Sequence, residues 1–314
     1  MLFSADFDVD GRLAVISGGS QGLGAALGRL LFSKGASVVI VARTEAKLSK
    51  TAKEIENFRV NSNQKVSFVS ADLTLYEECE KVFTSIETPD ILINCAGYSH
   101  PALFLDLTAT DLKQGINTNY NCAAFFTHAG LKKMAKVKPQ HRRHILFCSS
   151  VLATYPFIGY GHYAPLKSAV KTLSDVLRQE CLVYNIRVEC AFPGNFMSEG
   201  FVEEEKTKPE ITKQIEGPSE AISADKCAEI IFRAIDKGYD YITTDTPGYL
   251  LSTFVLGNSP RQFWVFQVII AFFVSLFAPI ANVFVNRMIK KYFETHPIPG
   301  LDDDTSDVKG SSSD

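Results

Sequence analysis

Leu13-Ala14-Val15-Ile16-Ser17-Gly18-Gly19-Ser20-Gln21-Gly22-Leu23-Gly24 sets the architecture of this 314-residue chain. The apolar run reads as a short strand, and glycines in Gly-x3-Gly-x-Gly spacing read as a tight turn. Ala25, Ala26, Leu27, Leu30 and Leu31 then recur at helical spacing until Lys34-Gly35 stops the helix. Ser37 to Ala42 is a second apolar strand. Strand, glycine turn, helix and strand within about thirty residues form the unit that starts a doubly wound sheet and holds a dinucleotide. The glycines let backbone approach a pyrophosphate, whose charge is met by the N-terminus of the following helix.

The same alternation continues. Glu45 to Val60 is amphipathic and helical, and Lys65 to Ser70 is a third strand. Asp90 to Ile93 is the fourth, followed by Asn94-Cys95-Ala96-Gly97. A long helical stretch from Leu112 to Met134 carries Asn117, Asn119 and Asn121, and Arg143 to Ser149 is the fifth strand. A helix opens at Tyr163, Asn185 to Phe192 is a sixth strand ending at Pro193-Gly194, and Tyr241 to Thr243 is the last. This order predicts an α/β fold: a Rossmann-type parallel sheet of about seven strands with helices on both faces. Asn195 to Ile222, polar and broken by Pro209, Gly217 and Pro218, reads as a mobile lid or as a solvated helix.

Composition narrows the function. Hydrophobic residues make up 46% and charged ones 21%, as in an ordered globular chain. A net charge of -3 with no basic stripe argues against a nucleic-acid partner. Seven cysteines without a Cys-x2-Cys pair or zinc-like histidine spacing predict no metal site and a reducing compartment. Met1 to Gly11 lacks the basic and apolar regions of a cleaved signal, so none is expected.

The reactive residues are Tyr163 and Lys167, four apart and therefore on one helical face. An ammonium beside a phenol favours phenolate, and the expectation is a tyrosine pKa lowered toward neutrality, suited to proton donation. Pro165 is tolerated there because it falls in the first helical turn. Ser150 lies thirteen residues before Tyr163, at a strand end. Arg43 follows the second strand, where an NAD site would place a carboxylate. A guanidinium there holds a 2'-phosphate by paired hydrogen bonds and predicts NADPH.

These motifs, in this order over residues 10 to 245, resemble the short-chain dehydrogenase/reductase family. The resemblance implies that Asn119, Ser150, Tyr163 and Lys167 are catalytic. It also implies that Gly18, Ser20, Gln21, Gly22, Leu23, Gly24, Arg43, Asp72, Leu73, Asn94, Ala96, Gly97, Tyr163, Lys167, Pro193 and Gly194 bind the cofactor. Ser17 stands where members usually carry threonine, and Cys95 where they carry a second asparagine. Asp72 serves the adenine ring by resemblance, or caps a helix through Phe83.

Phe263 to Val285 is 23 residues without one charge, long enough to span a bilayer. It is a spanning, re-entrant or in-plane anchor, flanked by Arg261 and by Arg287, Lys290 and Lys291, with Pro279 interrupting it late. The predicted organisation is a catalytic domain over 1–250, an anchor over 251–292 with its core at 263–285, and a disordered acidic tail over 293–314. Thr244 to Ser252, Gly257, Pro260 and Ser198 to Phe201 resemble the fungal 3-ketodihydrosphingosine reductases within the family. That implies NADPH-dependent reduction of 3-ketodihydrosphingosine, a long-chain amino ketone, at the endoplasmic reticulum membrane with the catalytic domain facing the cytosol. It also implies a homodimer or tetramer. A reductase of steroids, retinoids or 3-ketoacyl-CoA, or a non-catalytic NADPH-binding scaffold, is the alternative.

Overall fold

A computed structural model describes residues 7–137, 139–217, 220–253 and 263–296. Gly257, Pro260, Arg261, Pro218 and the tail from 297 to 314 lie outside the described residues.

The chain opens with β1 (Leu13–Ser17), α1 (Gly22–Phe32), β2 (Ser37–Ala42), α2 (Glu45–Glu56), β3 (Val66–Ser70), α3 (Tyr76–Ser85) and β4 (Ile91–Asn94). It continues with α4 (Ala109–Ile116), α5 (Cys122–Met134), β5 (Arg143–Cys148), α6 (Ala164–Glu180) and β6 (Ile186–Phe192). Two short strands, β7 (Phe196–Met197) and β8 (Ile222–Ser223), bracket α7 (Glu199–Thr207) and α8 (Glu210–Glu216). α9 (Ala224–Asp236), β9 (Tyr241–Thr243), α10 (Thr246–Ser252) and α11 (Trp264–Phe293) complete it.

Seven strands pair in the order β3-β2-β1-β4-β5-β6-β9, every pair parallel. Both faces are covered. Leu27, Leu31 and Ile231 of α1 and α9 pack with Ile16 and Ile40 on one side. Phe83, Phe126 and Val170 of α3, α5 and α6 pack with Leu92 and Phe147 on the other. Double coverage explains why β4 and β5 are buried at every position and carry the apolar runs Ile91 to Ile93 and Ile145 to Cys148.

Two expected stretches gain detail. The stretch from Leu112 to Met134 is not one helix: a π turn at Asn117–Asn121 separates α4 from α5. The expected lid is built of α7 and α8, its ends tied by the β7–β8 pair.

α11 runs unbroken through position 279, so the expected interruption by Pro279 does not occur. Its described apolar residues, Phe266, Ile269, Phe272 and Phe277 among them, are largely exposed, while Gln267 is buried. Positions 278, 279 and 282 divide its described side chains, and among the described residues no helix is long and apolar enough to cross a membrane. α11 rests on α8 and α10.

Candidate active site

Two adjoining cavities open where the strand order reverses, beyond the carboxyl ends of β1 and β4, the crevice in which doubly wound sheets bind ligands. One, of about 470 Å³, is lined by the glycine turn, Arg43, Asp72, Leu73, Ala96 and Gly97. The other, of about 530 Å³, is lined by Ser150, Tyr163, Lys167, Pro193 and Gly194. Gly97, Tyr98, Phe196 and Ser198 border both.

The first cavity fits a dinucleotide. Gly18 has φ +66, and a Cβ there would stand 2.7 Å from the backbone nitrogen of Ala96, so no side chain is accommodated. Ser20, Gln21, Gly22, Leu23 and Gly24 follow along the wall. Gln21 precedes α1 without a side-chain cap, and the first turn of α1 carries no acidic residue. The N–H groups of Gly22, Leu23 and Gly24 have no intrahelical partner and suit an anion. Arg43 is exposed at the end of β2 on the same wall. Lys47 borders the same wall, its Nζ donating to Gln21 Oε1 at 2.9 Å and paired with Glu199 Oε2 at 2.5 Å.

Asp72 accepts from the Thr74 amide at 3.0 Å and the Thr74 hydroxyl at 2.8 Å, forming a local turn. α3 begins only at Tyr76, so Asp72 is not its N-cap. Asn94 borders neither cavity: it is buried and its Nδ2 donates to Thr127 Oγ1 at 2.9 Å, tying β4 to α5. The Cys95 thiol, one residue past β4, sits 3.0 Å from that of Cys148 at the end of β5.

The second cavity gathers Ser150, Tyr163 and Lys167 of the expected catalytic set, with Asn119 behind Gly97 on its border. Ser150 follows β5, its Oγ accepts from the Leu152 amide at 3.2 Å, and it lines the same cavity as Tyr163, whose phenol it acts to lower in pKa. Tyr163 caps α6, and Lys167 lies one turn on, buried, its Nζ donating to the Cys148 carbonyl at 3.0 Å. Asn119 sits in the π turn, its Oδ1 accepting from the Tyr98 amide at 3.1 Å. Its buried Nδ2 has no partner among the described residues. A Cβ on Gly97 would fall 2.9 Å from Asn119 Oδ1 and 3.2 Å from Lys167 Nζ, so the two side chains meet over that glycine.

One expectation is corrected. Tyr163 is not pulled toward neutrality: burial first, and then the negative charge of Glu204, hold its phenol above the ordinary range, and only the Ser150 hydrogen bond acts downward. The Lys167 ammonium is engaged by the Cys148 carbonyl and stands 5.5 Å from the tyrosine ring centre. Burial also lowers the pKa of Lys167 itself.

Several wall residues escaped the sequence reading. Tyr160, Glu204, Glu216 and Asp245 all line the catalytic cavity. The charged run at 203–206 reads as solvated, yet Glu204 shares a helical face with Phe201 and Lys208, a period that marks it as inward. α10 contributes Pro247, Gly248 and Leu251 to the wall and so crosses the expected boundary at residue 250.

A short chain dehydrogenase model matches residues 12–209. The chain is 48% identical over 296 residues to a 3-ketodihydrosphingosine reductase of Yarrowia lipolytica, covering 92% of this chain and 80% of that one. It is 47% identical to the 3-ketodihydrosphingosine reductase of Debaryomyces hansenii, covering 94% of each. Among solved structures, L-sorbose reductase from Gluconobacter frateurii, complexed with NADPH and L-sorbose, superposes with a TM-score of 0.65 at 22% identity, over 76% of this chain and 97% of that one. Motifs, sheet order and relatives agree: the chain belongs to the short-chain dehydrogenase/reductase family.

Proposed function

We propose that this protein reduces 3-ketodihydrosphingosine to dihydrosphingosine with NADPH. The observation that carries the reading is near-full-length similarity to reductases of that name, in a chain whose cavity apposes a serine and a tyrosine hydroxyl. Exposed Arg43 at the end of β2, where an NAD site would place a carboxylate, supports NADPH over NADH, because a guanidinium attracts a 2'-phosphate.

Bound NADPH supplies hydride to a carbonyl carbon. The chain's own residues manage the oxygen. Ser150 donates a hydrogen bond to it and Tyr163 gives it a proton, contacts that strengthen as negative charge builds there. A phenol held above its ordinary pKa is fully protonated at cellular pH, which suits donation in the direction of reduction. Lys167, steadied by the Cys148 carbonyl, would hold the cofactor's ribose. The unpartnered Nδ2 of Asn119 is suited to a water that returns the proton to Tyr163.

The same proposal includes an anchor at the endoplasmic reticulum membrane, with the catalytic domain on the cytosolic side. α11 exposes apolar side chains and rests on α8 and α10, elements whose Glu216 and Leu251 line the substrate cavity. A substrate gaining about 0.8 kcal/mol per methylene from apolar surroundings resides in lipid, beside that cavity. Exposed Val176, Leu182 and Val183 on and after α6 support pairing of two copies through that helix, which light scattering tests.

The deciding experiment follows NADPH oxidation by detergent-solubilised protein with 3-ketodihydrosphingosine, a steroid ketone, retinal and a 3-ketoacyl-CoA. Turnover of the sphingoid ketone alone is expected. Turnover of another ketone instead overturns the substrate, and silence on all four with NADPH still bound favours the scaffold.

A further inference from the structure

The catalytic cavity carries a carboxylate that proton donation does not need. Phe201 and Glu204 share the inward face of α7, and Lys208 follows at its C-terminal cap. Glu204 Oε1 accepts from the Tyr160 hydroxyl at 2.6 Å, and the Tyr160 ring lies 6.2 Å from that of Tyr163. Glu204 is thus joined to the reacting phenol through one aromatic neighbour. Its charge is felt there, since it is one of the groups that raise Tyr163.

The Glu204 carboxylate shares its neighbouring cation with two other carboxylates. Behind this wall lies Lys208, its side chain 2% exposed, and its Nζ bonds Glu205 and, at 2.7 Å, Glu216. Glu204 lies farther off, 3.8 Å from the same ammonium. Asn195 Nδ2 donates to the other oxygen of Glu216 at 2.6 Å, so Glu216 is doubly held. Three carboxylates against one ammonium leave Glu204 with the weakest share, and burial pushes its carboxyl above the usual range. A half-buried anion in this position calls for a further cation.

We propose that Glu204, with Tyr160 as its support, recognises the protonated amine of the substrate and so selects an α-amino ketone over a plain ketone. The inference rests on the proposed reaction. In such a substrate the amine sits on the carbon next to the carbonyl. With the carbonyl oxygen at Ser150 and Tyr163, the ammonium falls toward the wall that Tyr160 and Glu204 form. Its charge offsets the carboxylate excess and relieves the field on Tyr163. A ketone without the amine leaves Glu204 with only the Tyr160 hydroxyl and the shared Lys208 and turns it toward an apolar carbon, which costs the carboxylate solvation.

The test compares kcat/KM for 3-ketodihydrosphingosine and for 1-hydroxyoctadecan-3-one, identical but without the amine, in wild type, Glu204→Gln and Glu204→Asp. The wild-type ratio favours the amino ketone, and Glu204→Gln lowers that ratio roughly 10- to 100-fold, the worth of a hydrogen bond to a charged group. Glu204→Asp, which keeps the charge, retains most of the ratio. A thermal melt shows that both variants are folded. An unchanged ratio in Glu204→Gln, or equal loss on both ketones, overturns the inference while the reaction stands. Wild type that reduces the amine-free ketone but not the amino ketone overturns the reaction and the inference together.

Discussion

Tyr163→Phe removes one oxygen from the catalytic cavity and leaves its shape in place. The ring keeps its packing beside Tyr160, and Ser150 Oγ keeps the Leu152 amide as a partner at 3.2 Å. No buried group loses its last hydrogen bond, so the stability change is about 1 kcal/mol or less, a few degrees in Tm. The chemical loss is larger. A positioned general acid contributes about 100- to 10,000-fold, or roughly 2.7 to 5.4 kcal/mol of barrier. The assay is single-turnover reduction of 3-ketodihydrosphingosine at saturating NADPH, with cofactor affinity read separately from nicotinamide fluorescence. Expected are a rate down by at least about 100-fold and an NADPH Kd within about threefold of wild type. The phenol is held above its ordinary value of about 10. The wild-type rate should therefore not decline from tyrosine ionisation below that pH, since the donor stays protonated until pH passes its raised pKa. A variant retaining a tenth of the activity, or one that no longer binds NADPH, would refute the proton-donor role.

Two further outcomes are expected. Arg43→Glu should shift preference from NADPH toward NADH, because a carboxylate repels the 2'-phosphate that the guanidinium attracts; an unchanged ratio of kcat/KM for the two cofactors would remove the assignment. Membranes carrying the protein should retain it through alkaline carbonate extraction, and release into the supernatant would mean that the apolar helix α11 serves protein contact instead.

Local order made the fold legible. Residues at strand and helix periods, and glycines spaced for one turn, need only their near neighbours to be read, and the strands they predicted form the seven-stranded sheet. Tyr163 and Lys167 were equally legible, because one helical turn fixes their relation. Asn119 was found by register, but not the π turn that carries it, which packs against α6. The direction in which the Tyr163 pKa moves was misjudged for the same kind of reason. Lys167 is its neighbour in sequence, whereas burial and Glu204, 41 positions away, act on it only after α7 folds over the cavity. Asn94 likewise matched a cofactor motif, yet its side chain turns to Thr127 on a helix that sequence cannot place beside it. Spacing along the chain determined the fold and the reactive pair. Which charges face that pair, and which way each side chain turns, depended on contacts between distant segments, and those exist only in the folded protein.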